Sequence, residues 1–525
     1  MNNSATKNIA RAAGTVMLAT IVSQLAGLAR SIIVARTFGA SPELSAYLYG
    51  NRVSETLFLL IAGGALGSAF IPTFTGFLAK GDRDSAWTLA ASLARLVTLT
   101  LSLLALLAAF FAPQIVRYAL APGFASQPEL FALTVELMRI QLAAAVLFGF
   151  GGLIVGILNA HQVFLIPALT PAMYQLGIIF GALVLSPSMG VHGLAWGVII
   201  GAVFYLLIQI PSLLKVKPDF WSSLLGRWTF DSNVRHVLLL MGPRLLGVAV
   251  VQVNFWVNAA LASKMSGDSM AALSYAFALM LMAQAAIAQS VANAAMPTFS
   301  AQHALGQRDE MRSSLAASLR GIIFLALPAS LGLILLREPL VAMLYQRGEF
   351  DARSTELVAW ALLWYAAGLL GHSIMEVLTR AFYAQHDTKT PVFIGTIAMG
   401  LNVVFSFTFA ALFPRFGWVA LGGLALANSL ATALEAITLF IVMRKRLDGI
   451  EGAHIGRGLV QAAVGGLAMS LALAMWNQFG GSLNRWVAGL GGVAIGGFVY
   501  GIVLIALRVP EIQSLFQIIA RRLKR

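Results

Sequence analysis

Long apolar stretches separated by short polar ones dominate the hydrophobic pattern of this chain. Asp, Glu, Lys and Arg are entirely absent from five segments: 96–116, 140–214, 269–307, 458–484 and 486–507. A transmembrane helix needs about 20 predominantly apolar residues, so the second segment alone can hold three spans. Lipid accepts only helices and closed barrels, and the alternating pattern of barrel strands is missing. We therefore predict an all-α polytopic membrane protein.

About 14 transmembrane helices fit the 525 residues. The first span follows Lys7 and Arg11 and is too long for a signal-peptide core, so we predict that it is retained. The predicted spans are 12–37, 51–79, 87–113, 129–159, 162–186, 190–214, 236–263, 269–302, 313–336, 354–384, 390–413, 417–443, 456–478 and 486–508.

The placement of basic residues gives the predicted orientation. The chain is 59% hydrophobic and 11% charged, with a net charge of +14. If the N-terminus is cytoplasmic, nineteen of the 35 basic residues lie in inner segments and seven in outer ones. Cytoplasmic segments carry the excess of Lys and Arg, so we predict that both termini are cytoplasmic. The charge thus indicates membrane lipids as partners, and not nucleic acid.

An internal repeat relates two halves of the chain. The segment "IPTFTGFLAKGDRDS" starts at Ile71, and "MPTFSAQHALGQRDE" starts at Met296. One offset of 225 also pairs Gly123 with Gly348. Each repeat holds six spans, so both halves have the same orientation. We predict two six-helix lobes related by a parallel pseudo-two-fold axis, with two extra C-terminal helices, as in alternating-access transporters.

The repeat gives a predicted domain organisation. It consists of an N-lobe at 1–214 (spans 1–6), a cytoplasmic amphipathic linker at 215–235, a C-lobe at 236–446 (spans 7–12), spans 13 and 14 at 447–508, and a basic cytoplasmic tail at 509–525.

Polar side chains inside the spans concentrate in the first two spans of each lobe, which would line a central cavity. Arginine binds phosphate oxygens bidentately and stays charged when buried, so the cavity is predicted to take an anionic, phosphate-bearing substrate. The candidate substrate-binding residues are Arg30, Arg52, Arg244, Gln24 and Asn258; the candidates for gating or ion pairing are Glu55, Gly63 and Gly64.

Structural roles compete with these assignments. Arg52 and Glu55 are three residues apart and could neutralise each other, and Glu136 and Arg139 have the same spacing. Asn and Gln in spans often tie helices together. Arg95 and Arg320, near cytoplasmic span ends, are predicted to snorkel to the headgroups.

An enzyme is not predicted. The chain has no cysteine, its histidines lack ligand spacing, and no phosphate-cradling Gly-x-x-x-x-Gly-Lys loop occurs. We therefore expect no metal, no cofactor and no ATPase activity.

Five motifs carry a resemblance to a known family. They are "GLARSIIVARTFGAS", "AFIPTF", "LAPGF", "LYQRGEFDARST" and "RAFYAQHDTKTPV". In order and spacing they resemble the MurJ (MviN) family of lipid II flippases, within the multidrug/oligosaccharidyl-lipid/polysaccharide exporter superfamily. The resemblance extends along essentially the whole chain.

The resemblance implies an activity and a location. A protein of this family would flip the undecaprenyl-pyrophosphate-linked peptidoglycan precursor, lipid II, from the inner to the outer leaflet of the bacterial inner membrane. Transport would proceed by alternating access, with the headgroup held in a cationic central cavity. Spans 13 and 14 would form a groove for the lipid tail. We expect a monomer that works with the cell-wall synthesis machinery.

Several charges usual in the family are missing from this chain. Arg30 matches the family pattern, whereas the departures are Gln24, Ser31, Phe58, Leu59, Gly63, Phe277, Ala278 and Leu281. Two alternatives therefore stay open: an exporter of another polyprenyl-linked glycan or amphiphile, and a non-transporting membrane scaffold that kept the fold.

Overall fold

The computed structural model describes residues 3–61, 65–220, 224, 232–480 and 484–511. These residues form helices joined by short loops, and they contain no strand. Within the described ranges, eleven helices are long and apolar enough to cross a membrane, and two bent helix pairs would raise the number to 13. The prediction of an all-α polytopic membrane protein is confirmed, while the count of 14 stays a prediction.

Eighteen longer helices organise the described part of the chain. They are α1 (Asn3–Phe38), α2 (Pro42–Ile61), α3 (Ala65–Ala79), α4 (Arg83–Phe110), α5 (Pro128–Ala160), α6 (Leu165–Phe180), α7 (His192–Leu207), α8 (Ser232–Ser263), α9 (Ser269–Gln284), α10 (Ser290–Ala304), α11 (Arg308–Leu335), α12 (Arg337–Tyr345), α13 (Ala352–Ala367), α14 (Leu369–Ala384), α15 (Lys389–Leu412), α16 (Leu421–Arg446), α17 (Gly452–Gly480) and α18 (Arg485–Ala506). Shorter helical turns are Ala112–Ile115, Val116–Leu120, Pro122–Ser126, Gly181–Leu185, Ser186–Met189, Ile210–Val216, Ala285–Gln289 and Phe413–Phe416.

The second predicted span, 51–79, falls on α2 and α3, and α2 begins earlier than predicted. The Leu44 backbone N–H donates to Ser41 Oγ at 3.1 Å, which caps the helix near Pro42. Tyr47 and Tyr49 then lie buried in the first turns. Hydropathy missed these turns because their side chains are polar at the tip and packed inside the protein.

The chain divides into two compact units. The first unit comprises Met1–Ala271 with Arg347–Phe350, and the second comprises Ala272–Gln346 with Asp351–Arg525. α8 belongs to the first unit because it packs against α2, α3 and the Pro122–Ser126 turn. The predicted boundary at 215–235 concerns the sequence repeat, and it stays a prediction.

Glycines bring α6 and α7 into close contact in the first unit. A Cβ atom added to Gly177 would lie 2.1 Å from the Cα of Gly201, and one added to Gly181 would lie 2.7 Å from the Cα of Gly197. Such small-residue contacts let helix backbones approach closely. This pairing fixes α6, which also packs against α1.

Two loops that correspond in the repeat dock on helix ends in the first unit. Gly348 has φ +59°, and the neighbouring Glu349 N–H donates to the Arg36 carbonyl at 3.0 Å, near the end of α1. In the other loop, the Gly123 N–H donates to Ser263 Oγ at 3.0 Å, at the end of α8. A Cβ at Gly123 would lie 1.9 Å from the Ser263 carbonyl oxygen. Both motif glycines are therefore required by close backbone approach.

We expect Gly348→Ala to detach the 347–350 loop from α1. A left-handed conformation costs an alanine about 1–2 kcal/mol, and its Cβ would also lie 2.3 Å from the Arg36 carbonyl oxygen. Trypsin cleavage after Arg347 should become faster in the variant. The control is Gly417→Ala, because Gly417 has φ +74° but nothing within 4 Å of an added Cβ. Equal effects of both substitutions on thermal stability and cleavage would show that docking is unimportant.

Arg320 on α11 is buried, so the prediction that it snorkels is wrong. Its side chain is 2% exposed. Its Nε and Nη2 donate to the two Glu511 carboxylate oxygens at 2.5 and 3.1 Å, and its Nη1 donates to the His454 carbonyl at 2.6 Å. The guanidinium lies 5.4 Å from the Phe324 ring centroid. Arg320 thereby joins α11 to α17 and to the segment after α18.

Candidate functional site

An ion pair on α2 is the first element of the site. Arg52 Nη1 lies 3.0 Å from Glu55 Oε2, and their side chains are 19% and 44% exposed. The i,i+3 spacing places both on one face of the helix. The local neutralisation that the sequence allowed is therefore present, and Glu55 compensates the charge of Arg52.

α8 covers this ion pair from the other side. The Arg52 guanidinium lies 5.2 Å from the centroid of the Phe255 ring, within the range of a cation–π contact. One turn along α2, the Thr56 hydroxyl accepts a hydrogen bond from Trp256 Nε1 at 3.0 Å. It donates to the Arg52 carbonyl at 2.7 Å and lies 3.3 Å from Gln252 Oε1. Thr56 thus ties α8 to the turn that carries Arg52.

We expect Thr56→Val to weaken this helix contact while Thr56→Ser preserves it. Valine matches the shape of threonine but leaves the partly buried Trp256 N–H without its acceptor. An unsatisfied buried group costs about 1–3 kcal/mol. Unfolding by denaturing detergent would measure the difference between the two variants. If Thr56→Val is as stable as the serine variant, the hydroxyl does not hold α8.

Arg30 on α1 is the second arginine of the site. It is partly buried. It interacts electrostatically with the phenols of Tyr47 and Tyr174, and Glu55 acts on the same two phenols. Asn51 hydrogen-bonds the Tyr174 side chain. Arg30 and Glu55, two residues that the sequence assigned to different roles, therefore both lie within electrostatic range of Tyr47 and Tyr174.

Arg30 differs from Arg52 in its charge balance. Within the described ranges, the ion pairs include Arg52 with Glu55 but none with Arg30. Two guanidiniums and one carboxylate leave one uncompensated positive charge beside the buried Tyr47. An uncompensated arginine away from bulk water favours an anionic ligand over a neutral one. We name Arg30, Arg52, Glu55, Tyr47 and Tyr174 the Arg30 cluster.

The other candidate residues lie outside the Arg30 cluster or outside the described part of the structure. Gln24 is exposed on α1. The Asn258 amide donates to the Asn254 carbonyl and side-chain oxygens at 3.0 and 3.3 Å, within α8. The backbone of Arg244 belongs to α8, but its side chain is not among those described, and Gly63 and Gly64 lie outside the described residues.

Sequence reasoning missed the neutral members of the site. Tyr47, Asn51, Thr56, Tyr174 and Trp256 carry no charge, so their chemistry did not stand out in an apolar chain. A signal existed in the spacing, because residues 47, 51 and 55 follow each other every fourth position on α2. That spacing places them along one helix face.

The composition of the Arg30 cluster does not suit a metal ion, because Glu55 is its single carboxylate and it contains no histidine. In the part of the chain that the structure describes, no three His, Asp or Glu side chains form a group that could hold a metal ion. The cluster instead offers guanidinium and phenol donors, with the Asn51 amide beside them. These are hydrogen-bonding groups for an oxygen-rich anion.

Comparison with known proteins agrees with this picture. The model of the family described as "Lipid II flippase MurJ" matches residues 34–490. The chain belongs to the MurJ family. A Burkholderia cenocepacia lipid II flippase MurJ is 32% identical over 445 residues, covering 84% of each protein. A probable lipid II flippase MurJ of Vibrio cholerae is 30% identical over 522 residues, covering 94% of this chain and 96% of the relative.

Solved structures show the same fold. A lipid II flippase MurJ in an inward closed conformation superposes with a TM-score of 0.79 at 24% identity, covering 94% of this chain and 98% of that one. An inward-facing multidrug transporter of the MATE family, in the MOP superfamily, gives a TM-score of 0.67 at 18% identity, covering 81% and 94%. The MurJ family is named for a transport activity, so the prediction that the chain is not an enzyme is confirmed. The chain is a multi-pass membrane protein of this family.

Proposed function

We propose that this chain flips lipid II, the undecaprenyl-pyrophosphate-linked peptidoglycan precursor, from the inner to the outer leaflet of the bacterial inner membrane. The observation that carries the proposal is the uncompensated Arg30 beside the Arg52–Glu55 pair, in a member of the MurJ family. Arg30 binds the pyrophosphate, and the tyrosine and asparagine side chains around it donate to oxygens of the headgroup.

Alternating access moves the bound headgroup between leaflets. α17 and α18, which have few polar residues, form the groove for the lipid tail. Both termini are cytoplasmic, as the basic residues indicate. The chain acts as a monomer alongside the cell-wall synthesis machinery.

One observation favours a second candidate, an exporter of another polyprenyl-linked glycan or amphiphile. Positions where the family usually carries charge are engaged here in neutral contacts. The Phe58 ring packs on Phe148 at 5.5 Å, Phe277 packs on Tyr365 at 5.1 Å, and the Ser31 hydroxyl donates to the Gly27 carbonyl. A site with fewer charges suits a headgroup with fewer anionic groups.

Growth of a bacterium depleted of its own lipid II flippase tests the proposal. We expect expression of this chain to restore growth and cell shape. The matched control is the same chain with Arg30→Ala and Arg52→Ala. Failure of the unchanged chain, at membrane levels equal to those of a functional flippase, would favour the second candidate or a scaffold.

A further inference from the structure

A polar cleft of about 440 Å³ lies in the second unit, where α10, α11, α14 and α16 meet their loops. Its polar lining is Gln302, His303, Gln307, Arg308, Gln385 and Arg446. Among the described residues, the lining contains no Asp or Glu side chain, although Asp448 and Asp387 beside the cleft form ion pairs with Arg308 and Arg446. The cleft is open to the surface, since the Arg308 side chain is 72% exposed, so a polar ligand can reach these groups from solvent.

Aromatic rings surround Trp87, the counterpart in the first repeat of Arg312, a residue next to the cleft. There the Trp87 ring stacks on His161 with centroids 5.7 Å apart, and Phe220 packs against the edge of Trp87 at 6.1 Å. The offset of 225 relates Trp87 to Arg312. Arg312 donates instead to Asp309 and to the carbonyl of Leu447, a residue of the cleft wall. The second repeat thus has a guanidinium beside the cleft at the position where the first repeat has an aromatic ring.

The hydrogen-bonding capacity of the lining is only partly used. Arg308 Nη1 stands 3.8 Å from Asp448 Oδ2, beyond hydrogen-bond length, and both side chains are 72% exposed. Arg446 uses one nitrogen on Asp387 at 2.7 Å, and a guanidinium has five N–H donors. The Gln385 amide donates to the sulfurs of Met443 and Met311, at 3.2 and 3.9 Å. Thioether sulfur is a weak acceptor, so a ligand with a stronger acceptor would compete for the Gln385 amide.

We propose that this cleft binds a phosphate-bearing anion. Arg308 and Arg446 supply guanidinium donors, and the Gln307, Gln385 and His303 side chains supply further hydrogen-bond donors. A phosphate group with its several acceptor oxygens matches this set of donors better than a carboxylate, which has two. The anion is either a phospholipid headgroup or a soluble phosphate compound. The cleft contains no residue of the Arg30 cluster, so this proposal does not rest on lipid II transport.

Binding of phosphate to the purified full-length chain tests the proposal. The chain is held in dodecyl maltoside without phospholipid, in phosphate-free buffer at constant ionic strength. One titration adds inorganic phosphate, and the other adds short-chain phosphatidylglycerol. We expect saturable stabilisation against heating in at least one titration. A response to inorganic phosphate identifies a soluble source, and a response to the lipid alone identifies a headgroup.

Two matched arginine variants locate the bound anion. Arg308→Ala should weaken the apparent affinity roughly tenfold, the usual effect of losing one charge-assisted contact. Arg83 is the repeat counterpart of Arg308 and is also exposed, so Arg83→Ala should leave the affinity unchanged. The proposal is overturned if neither titration saturates, or if both variants weaken binding equally, because equal losses indicate general surface charge.

Discussion

Arg30→Ala is expected to abolish lipid II translocation while leaving the fold intact. A charge-assisted hydrogen bond to phosphate contributes about 1.5–3 kcal/mol, so headgroup affinity should fall roughly 10- to 150-fold. Arg30 forms no ion pair within the described ranges, so its removal leaves no protein carboxylate uncompensated there. Stability should therefore change little, and the loss should appear in transport.

Arg36→Ala is the matched control for Arg30→Ala. Arg36 lies on the same helix but is exposed, and it contributes its backbone carbonyl, which alanine retains, to the docked loop. We expect this variant to transport normally. Binding of lipid II to both variants can be measured by fluorescence quenching of the native tryptophans. Wild-type affinity in Arg30→Ala would show that the headgroup is held elsewhere.

Glu511→Ala is expected to cause the largest loss of stability. Arg320 would keep its place inside the second unit, and among the described residues the His454 carbonyl and the Phe324 ring would remain as its partners. Breaking a buried pair costs about 3–5 kcal/mol, and because Glu511 is itself 31% exposed we expect about 2–4 kcal/mol. Unfolding in denaturing detergent, monitored by tryptophan fluorescence, would measure the loss.

A double variant shows whether the lost stability comes from the unpaired buried charge of Arg320 or only from the shorter side chain at position 511. In Arg320→Met with Glu511→Ala, no charge remains buried, so much of the lost stability should return. Burial raises the pKa of Glu511, but the hydrogen bonds from Arg320 outweigh it, so the pKa lies below its usual value. The wild-type pair should therefore lose stability as the pH falls through that lowered pKa, and the double variant should not. A double variant no more stable than Glu511→Ala would refute this account.

The fold could be predicted from the sequence because lipid leaves few choices. Uncharged runs of about 20 residues define spans without any knowledge of partners. The start of α2 could not be found in this way, since Tyr47 and Tyr49 are amphipathic and pack inside the protein. Arg320 was misplaced for a related reason. Proximity to a span end predicts snorkelling, but its partner Glu511 lies 191 residues further along the chain.

The candidate site was predictable only in its charges. Arg30, Arg52 and Glu55 stand out against an apolar background, and the i,i+3 pairing follows from helix geometry. Which arginine retains an uncompensated charge depends on contacts between helices. These contacts cannot be predicted from the hydropathy pattern. The covering of Arg52 by Phe255 and the Thr56–Trp256 hydrogen bond join residues about 200 positions apart.

Translocation of purified lipid II in proteoliposomes tests the central claim most directly. The wild-type chain should move lipid II between leaflets faster than other polyprenyl-pyrophosphate glycans presented at the same density. Arg30→Ala should reduce the rate to that of protein-free vesicles, whereas Arg36→Ala should not. A wild-type chain that leaves lipid II in its starting leaflet, while moving another polyprenyl-linked glycan, would contradict the proposed substrate.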